Sequence, residues 1–483
     1  MSEGLILLIV GGVLAAGILI ALGAMRVGIP SLVAFLVLGM ILGRDGLVGI
    51  ELNDAHLAQT VGAIGLAIIL FEGGLSTSWR RLREVVVPVA MLSTIGVLIT
   101  AVLTGFIAYA LLDLSLLSAF LLGAVVSSTD AAAVFATLRY TKIKRRLART
   151  LEAESGGNDP TAIALTIGLI SWIESTAFGP GDFVQLLVQQ IGLGLLFGLL
   201  MGAAAMYIFA RLPKSLGSFA PVTSLAAFAL TFGITNLIGG SGFLAVYMVG
   251  LAIGSTPSRY RHHLVTFHEG LAFIAQVAMF VVLGLLVVPH ELLAVATPSI
   301  IIAILLIVII RPIAVWASTY FSHFNRNERA LLGWAGLRGA VPIVLGTLVL
   351  SSEVPHGEII FNVVFFVVLI SALIQGTTLE WVANRLGVVE KPKPGELNHK
   401  DSDPNAIEIV EFIVESQHSI NGAKIREIGL PRKAKVTSIK RKSKIITPVS
   451  TTVIKLNDRL FVSVPVTLRP ELEDVFMRWR RRV

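Results

Sequence analysis

The chain has 483 residues, 55% of them hydrophobic and only 14% charged, with 45 glycines and no cysteine, and a mean hydropathy of +0.82. A soluble globular chain carries about 25% charge, so this is an integral membrane protein, and disulfide frameworks, thiolate metal sites and cysteine nucleophiles are excluded. The net charge of +8 lies wholly in the tail, because residues 1–390 carry 20 Lys and Arg against 20 Asp and Glu, and residues 391–483 carry 19 against 11.

Apolar runs long enough, or nearly long enough, to span a bilayer centre on residues 4–24, 29–43, 57–76, 85–112, 115–138, 152–174, 183–211, 219–238, 242–254, 265–289, 292–320, 329–350 and 358–384. The first lacks a cleavage pattern before Arg26 and reads as a retained helix rather than a signal peptide. Basic clusters follow the odd-numbered runs: Arg80, Arg81 and Arg83; Arg139 to Arg149; Arg211 and Lys214; Arg259 and Arg261; Arg326 and Arg329. Loops after the even-numbered runs have none. The positive-inside rule therefore predicts a multi-pass protein of the plasma (inner) membrane, N-terminus outside and C-terminus cytoplasmic. An odd number of spans satisfies that orientation independently. Gly192 and Gly194, a loose G-x-G inside the seventh run, read as helix packing rather than phosphate binding.

Residues 1–388 form the membrane domain, and residues 389–405, with Pro392, Pro394, Gly395 and Pro404, read as a linker. Residues 406–483 read as a small α+β module: a strand over 407–414, a short helix over 421–428, a hairpin of 434–440 and 444–449, a strand pair over 453–465 around Asn457-Asp458, and a closing helix over 469–479. Its basic surface suits anionic cytoplasmic lipid, not nucleic acid.

Ionisable groups inside a span cost at least about 2.5–3.5 kcal/mol on insertion scales, so their positions are the functional signal. Asp130 lies mid-run behind Ser127, Ser128 and Thr129, a composition that suits a helix interrupted at bilayer depth. In Glu154-Ser155-Gly156-Gly157-Asn158-Asp159-Pro160, Ser155 and Asp159 share a helix face, as do Glu154 and Asn158. The glycines and proline predict close approach of another backbone and unpaired carbonyls. Burial favours the protonated carboxyl, so a proton and a dehydrated monovalent cation compete for Asp159, the simplest basis for exchanging one for the other. Glu72 lies near the cytoplasmic end of the third run, as a site residue or a snorkelling surface glutamate. Arg338 needs an acidic partner, for which Glu154 is the candidate; Arg311 reads as structural. The Asp130 run is fifth of runs 1–6 and the Arg338 run fifth of runs 8–13, so paired broken helices in two inverted halves point to a midplane transport site. His262, His263 and His268 read as solvated residues or a pH sensor. No nucleophile has an evident base beside it, so the chain does not read as an enzyme.

Ser128-Thr129-Asp130, Glu154 to Pro160 and Gly336-Leu337-Arg338-Gly339, in this order at these runs, resemble the signature of NhaP-type monovalent cation/proton antiporters over residues 1–388. The resemblance implies a homodimer of all-α, thirteen-helix protomers with two inverted repeats, working by rigid displacement of a core domain. It implies a cation held by Asp130, Ser155, Asp159 and the Thr129 backbone, with Asn158 among the cation- and proton-binding residues and Glu72 at the approach. Asp159 would carry the proton, Glu154 and Arg338 would form an ion pair, and Asn158, where electrogenic relatives have aspartate, implies electroneutral exchange of one H+ for one cation. Residues 407–476 are similar to the C-terminal lobe of RCK modules that regulate potassium channels and transporters. That implies a regulatory or dimerising module with cyclic di-AMP or another nucleotide as candidate ligand, and favours K+/H+ over Na+/H+ exchange. No bound cofactor is expected. A gated cation channel is the weaker alternative, for the chain has no carbonyl filter motif.

Overall fold

The computed structural model describes residues 3–27, 31–50, 54–138, 143–212, 219–256, 260–390, 407–415, 418–441, 444–465 and 468–479. The chain divides into two compact units, Met1–Glu390 and Lys391–Val483. Positions 391–405 of the expected 389–405 linker, and Lys442 and Ser443 between the two expected hairpin strands, lie outside the described residues.

Every predicted apolar run meets a helix or a pair of helices. Among the described residues seven helices are long and apolar enough to cross a membrane: Ala55–Ser76, Val86–Leu111, Pro180–Arg211, Ala220–Leu237, Arg261–Leu286, Pro289–Ser318 and Gly357–Arg385. The Glu3–Val27, Ser31–Leu42, Arg145–Glu174 and Gly242–Ser255 helices take up the first, second, sixth and ninth runs. The fifth and twelfth runs are each broken. Leu116–Val125 and Ala131–Thr137 flank one break, and Arg326–Trp334 and Ala340–Leu350 flank the other. Large apolar side chains such as Leu8, Leu199, Leu237 and Phe321 stand exposed on the outside of this unit, which fits a surface bathed in lipid.

The two halves share a second irregularity. A π-helical turn interrupts the fourth run at Leu92–Gly96 and the eleventh at Leu306–Ile310, again in corresponding places. Such turns re-aim the residues that follow them, and here the second one delivers Arg311 to the protein interior.

Small residues set the closest helix crossings. A side chain at Gly250 or Gly254 would run into the backbone of Phe71 or Leu75, and one at Gly74 into that of Tyr247. The Ala55–Ser76 helix therefore lies backbone to backbone on Gly242–Ser255, which brings Glu72 and Tyr247 to one cavity. Gly194 and Gly198 likewise meet the backbone of Ser241 and Ala245, and Gly202 meets the Ala252 methyl; Gly192 faces open space and has no such role.

The second unit is a four-stranded antiparallel sheet of order β1-β4-β2-β3, with β1 Ile407–Ile413, β2 Lys435–Arg441, β3 Lys444–Ile446 and β4 Arg459–Pro465. Val410 pairs with Val462 and Ile439 with Leu460, so alternate apolar residues share one face. The Arg469–Trp479 helix contributes Leu472, Val475, Phe476 and Trp479 to this core. Two expectations fail here. Residues 421–428 hold turns and a short 3-10 segment, Ile425–Glu427. The 453–465 stretch supplies a single strand, because Val453 bridges to Lys424 and Asn457, at φ 63°, turns the chain into β4.

Candidate functional site

The two breaks meet. The backbone N–H of Asp130, leaving the first break, donates to the Leu337 carbonyl in the second at 2.8 Å. A side chain at Gly339 would overlap the Asp130 carboxylate, so only glycine lets the segments approach this closely. Asp130 caps the Ala131–Thr137 helix, accepting from the Ala133 N–H at 3.1 Å.

Buried arginines hold this crossing. Arg338, 1% exposed, donates through Nη1 to the carbonyls of Ser127 and Ser128 at 2.7 and 2.5 Å, satisfying backbone groups that the unwound helix leaves without partners. Its own N–H donates to Ser371 Oγ at 2.9 Å, Ser371 donates to Gln375 Oε1 at 2.5 Å, and Gln375 Nε2 donates to the Trp334 carbonyl at 2.7 Å. The Gly357–Arg385 helix thus props the second break from behind.

Glu154 pairs with Arg311, not with Arg338 as the sequence suggested. Arg311 Nη2 donates to Glu154 Oε1 at 2.5 Å, with both side chains almost wholly buried. The π-turn ahead of Arg311 allows this reach, and Arg338 is already committed to the carbonyls of the first break. The other π-turn touches the same residue from its far side, where Ser93 Oγ donates to the Glu154 carbonyl at 3.1 Å.

The sixth run is one continuous helix with Pro160 inside it. The expected backbone approach does not occur: Gly156 makes room for the Tyr247 ring and Gly157 for the Ser93 side chain. Proline at 160 still removes the i+4 N–H that the Gly156 carbonyl would accept.

A cavity of about 320 Å³ opens at the crossing, lined by Asp130, Asp159, Ser155, Thr129, Ser128 and Glu72 among others. Asp159 is 5% exposed, and its Oδ1 has no hydrogen-bond partner in the protein. Asn158, expected among the binding residues, is buried but does not line the cavity: its Nδ2 donates to Thr129 Oγ1 at 2.6 Å and fixes the unwound segment against the Arg145–Glu174 helix. Glu72 accepts from Ser76 at 2.7 Å. Sequence reasoning missed Glu152, Thr77 and Tyr247, which line the same cavity. Spacing held a signal for the first, since Glu152, Ser155 and Asp159 recur on one helix face. His268, expected among solvated histidines, is buried and hydrogen-bonded to Ser224 Oγ at 2.7 Å.

The polar side chains gathered in the cavity are carboxyls and hydroxyls, a donor set for a hard cation or a proton. Comparison with known proteins agrees with this chemistry. The family model for the transmembrane sodium/hydrogen exchanger matches residues 12–385. The K(+)/H(+) antiporter NhaP of Alkalimonas amylolytica is 36% identical over 98% of this chain and 83% of its own length. The Na(+)/H(+) antiporter NhaH of Halobacillus aidingensis is 29% identical over 74% of this chain and 92% of its own. Among solved structures, the sodium proton antiporter MjNhaP1 of Methanocaldococcus jannaschii superposes with a TM-score of 0.71 at 25% identity, over 80% of this chain and 99% of that one.

Proposed function

The chain belongs to the sodium/hydrogen exchanger family, and from that premise we propose that it exchanges cytoplasmic K+ for external H+, one for one, at Asp159. The observation that carries this reading is the buried Asp159 oxygen without a protein partner, facing a cavity it shares with Asp130, Ser155 and Thr129. A carboxylate so placed binds either a proton or a cation, and the two exclude one another by charge and space. Deprotonation on one side admits the cation; reprotonation on the other expels it. Alternating access then needs only that the crossing of broken helices, locked by Arg338 and Glu154–Arg311, moves as one body relative to the helices around it. In this reading Asp130 and Ser155 complete the cation's shell, Thr129 is oriented by Asn158, and Glu154 and Arg311 hold the scaffold.

Potassium is favoured by the relatives named for K+ along most of this chain; Na+/H+ exchange by the same mechanism is the second reading, favoured by the relatives named for sodium. The β-sheet module serves as a cytoplasmic regulatory or dimerising lobe of a homodimer in the inner membrane, with the N-terminus outside. Its candidate ligand is cyclic di-AMP or another nucleotide. Proteoliposomes with an internal pH dye and a potential-sensitive dye test the proposal. K+ should dissipate an imposed pH gradient without building a membrane potential. A response to Na+ alone changes the ion, a potential changes the stoichiometry, and no response to either ion overturns the reading.

A further inference from the structure

Four carboxylates, Glu72, Asp130, Glu152 and Asp159, line the one 320 Å³ cavity, and among the described residues no Lys, Arg or His lines it. One cation or proton at the Asp130 and Asp159 end leaves the charge of the other two unanswered. Those two form a separate tier. Glu152 precedes Asp159 by seven residues of one continuous helix, which at 1.5 Å per residue puts it about 10 Å along the axis towards the Arg145 end. Its Oε1 accepts from Thr77 Oγ1 at 3.1 Å, while Glu72 accepts from Ser76, the residue next to Thr77.

Between the tiers stands Tyr247. Its ring fills the space that Gly156 leaves open, on the same helix face and midway between Glu152 and Asp159. The tyrosine is 6% exposed and lines the cavity, and its hydroxyl lies beside Thr77 without a well-formed hydrogen bond. A buried hydroxyl is seldom left unmatched, and here an oxygen ligand faces the passage from one acidic tier to the other.

We propose that Glu152 and Glu72 bind a second monovalent cation in an outer tier, which waits about 10 Å from Asp159 and passes along the Tyr247 hydroxyl when Asp159 loses its proton. This rests on the cation/proton reading of Asp159 but assigns Glu152 a role that reading does not need. The Glu152 carboxylate raises the local cation concentration on the way to Asp159. At the effective dielectric of about 20 that suits such a half-buried site, a unit charge 10 Å away changes binding by about tenfold or more, so Glu152 acts on KM and leaves the proton-carrying step alone.

The test is equilibrium dialysis of the purified full-length protein with radiolabelled Tl+, joined to the apparent KM for potassium chloride in the proteoliposome assay. Wild type should bind two Tl+ per protomer. Glu152→Gln, which keeps the side chain's shape and the Thr77 hydrogen bond, and Glu72→Gln should each bind one, and Asp159→Asn should retain one. Glu152→Gln should raise KM at least threefold, and Glu84→Gln, whose carboxylate pairs with Arg149 outside the cavity, should not. A wild type that binds one Tl+, lost only in Asp159→Asn, overturns the outer tier and leaves the exchange mechanism standing, as does a KM change below threefold. Tl+ binding untouched by Asp159→Asn but removed by Glu152→Gln supports the outer tier and sinks the role of Asp159.

Discussion

Replacing Arg311 by Met removes the charge opposite Glu154 and leaves a carboxylate in a site where it is 1% exposed. Breaking a buried pair from one side costs about 3–5 kcal/mol, most of it from the stranded charge rather than from the lost attraction. Unfolding entropy of about 2.1 cal/mol/K per residue gives roughly 0.8 kcal/mol/K for the 390 residues of the Met1–Glu390 unit, so the apparent melting temperature should fall by about 4–6 °C. Adding Glu154→Gln to that background neutralises the stranded charge and should restore most of the loss. Arg338→Met differs, because it frees the Ser127 and Ser128 carbonyls; Glu154→Gln should not rescue it. Thermal unfolding of the purified protein in detergent, read by tryptophan fluorescence, measures all four variants. Rescue of Arg338→Met and not of Arg311→Met would refute the assigned pair.

Three further outcomes follow from the geometry. Gly339→Ala sets a methyl group against the Asp130 carboxylate and should reduce cation-driven proton flux at least about tenfold, at an overpacking cost of only about 1–3 kcal/mol; normal flux would mean that the breaks do not need to touch. Asn158→Ala frees Thr129 and should raise the KM for the cation while costing about 1–2 kcal/mol, whereas an unchanged KM would separate Thr129 from the site. In the C-terminal unit, burial pushes the Asp458 carboxyl up, but hydrogen bonds from Arg441 and the Lys455 N–H outweigh it and hold it below the usual range. A lowered folded value stabilises the module fully above the unfolded value of about 3.9, and that contribution fades as pH falls through the folded value. The protection of the β4 amides in the full-length protein, taken relative to the intrinsic exchange rate at each pH, should therefore fall on acidification below about pH 4. Asp458→Asn should lower that protection at neutral pH, by a loss of about 1.5–3 kcal/mol; protection equal to wild type would contradict the role given to Arg441.

The membrane helices were legible because lipid demands long apolar runs, and the breaks because hydroxyls and glycines replace such runs at Ser127–Thr129 and Gly336–Gly339. Composition also marked the carboxylates at 130 and 159, which a bilayer tolerates only for cause. Partnership was not legible. The sequence states that Glu154 needs a cation and that Arg311 and Arg338 need acceptors, but a π-turn that shifts the chain by a fraction of a turn decides which pair meets. Gly156 and Gly157 were misread for a related reason: glycine announces close approach but not whether a backbone or a Tyr247 ring is what approaches. In the C-terminal module the β1, β2 and β4 alternation and the 469–479 helix were plain, while Asn421–Ile428 has helix-compatible residues that the Lys424–Val453 bridge and the Gly422 turn at φ 89° hold in another path.

The central claim is that proton and cation take turns on Asp159. Its most direct test adds potassium chloride to purified protein in weakly buffered detergent solution at a pH where Asp159 holds its proton, and measures the protons released. The account predicts about one proton released per inner-site cation bound in wild type and none in Asp159→Asn. Cation binding at the inner site without proton release, or the same release from Asp159→Asn, would contradict it.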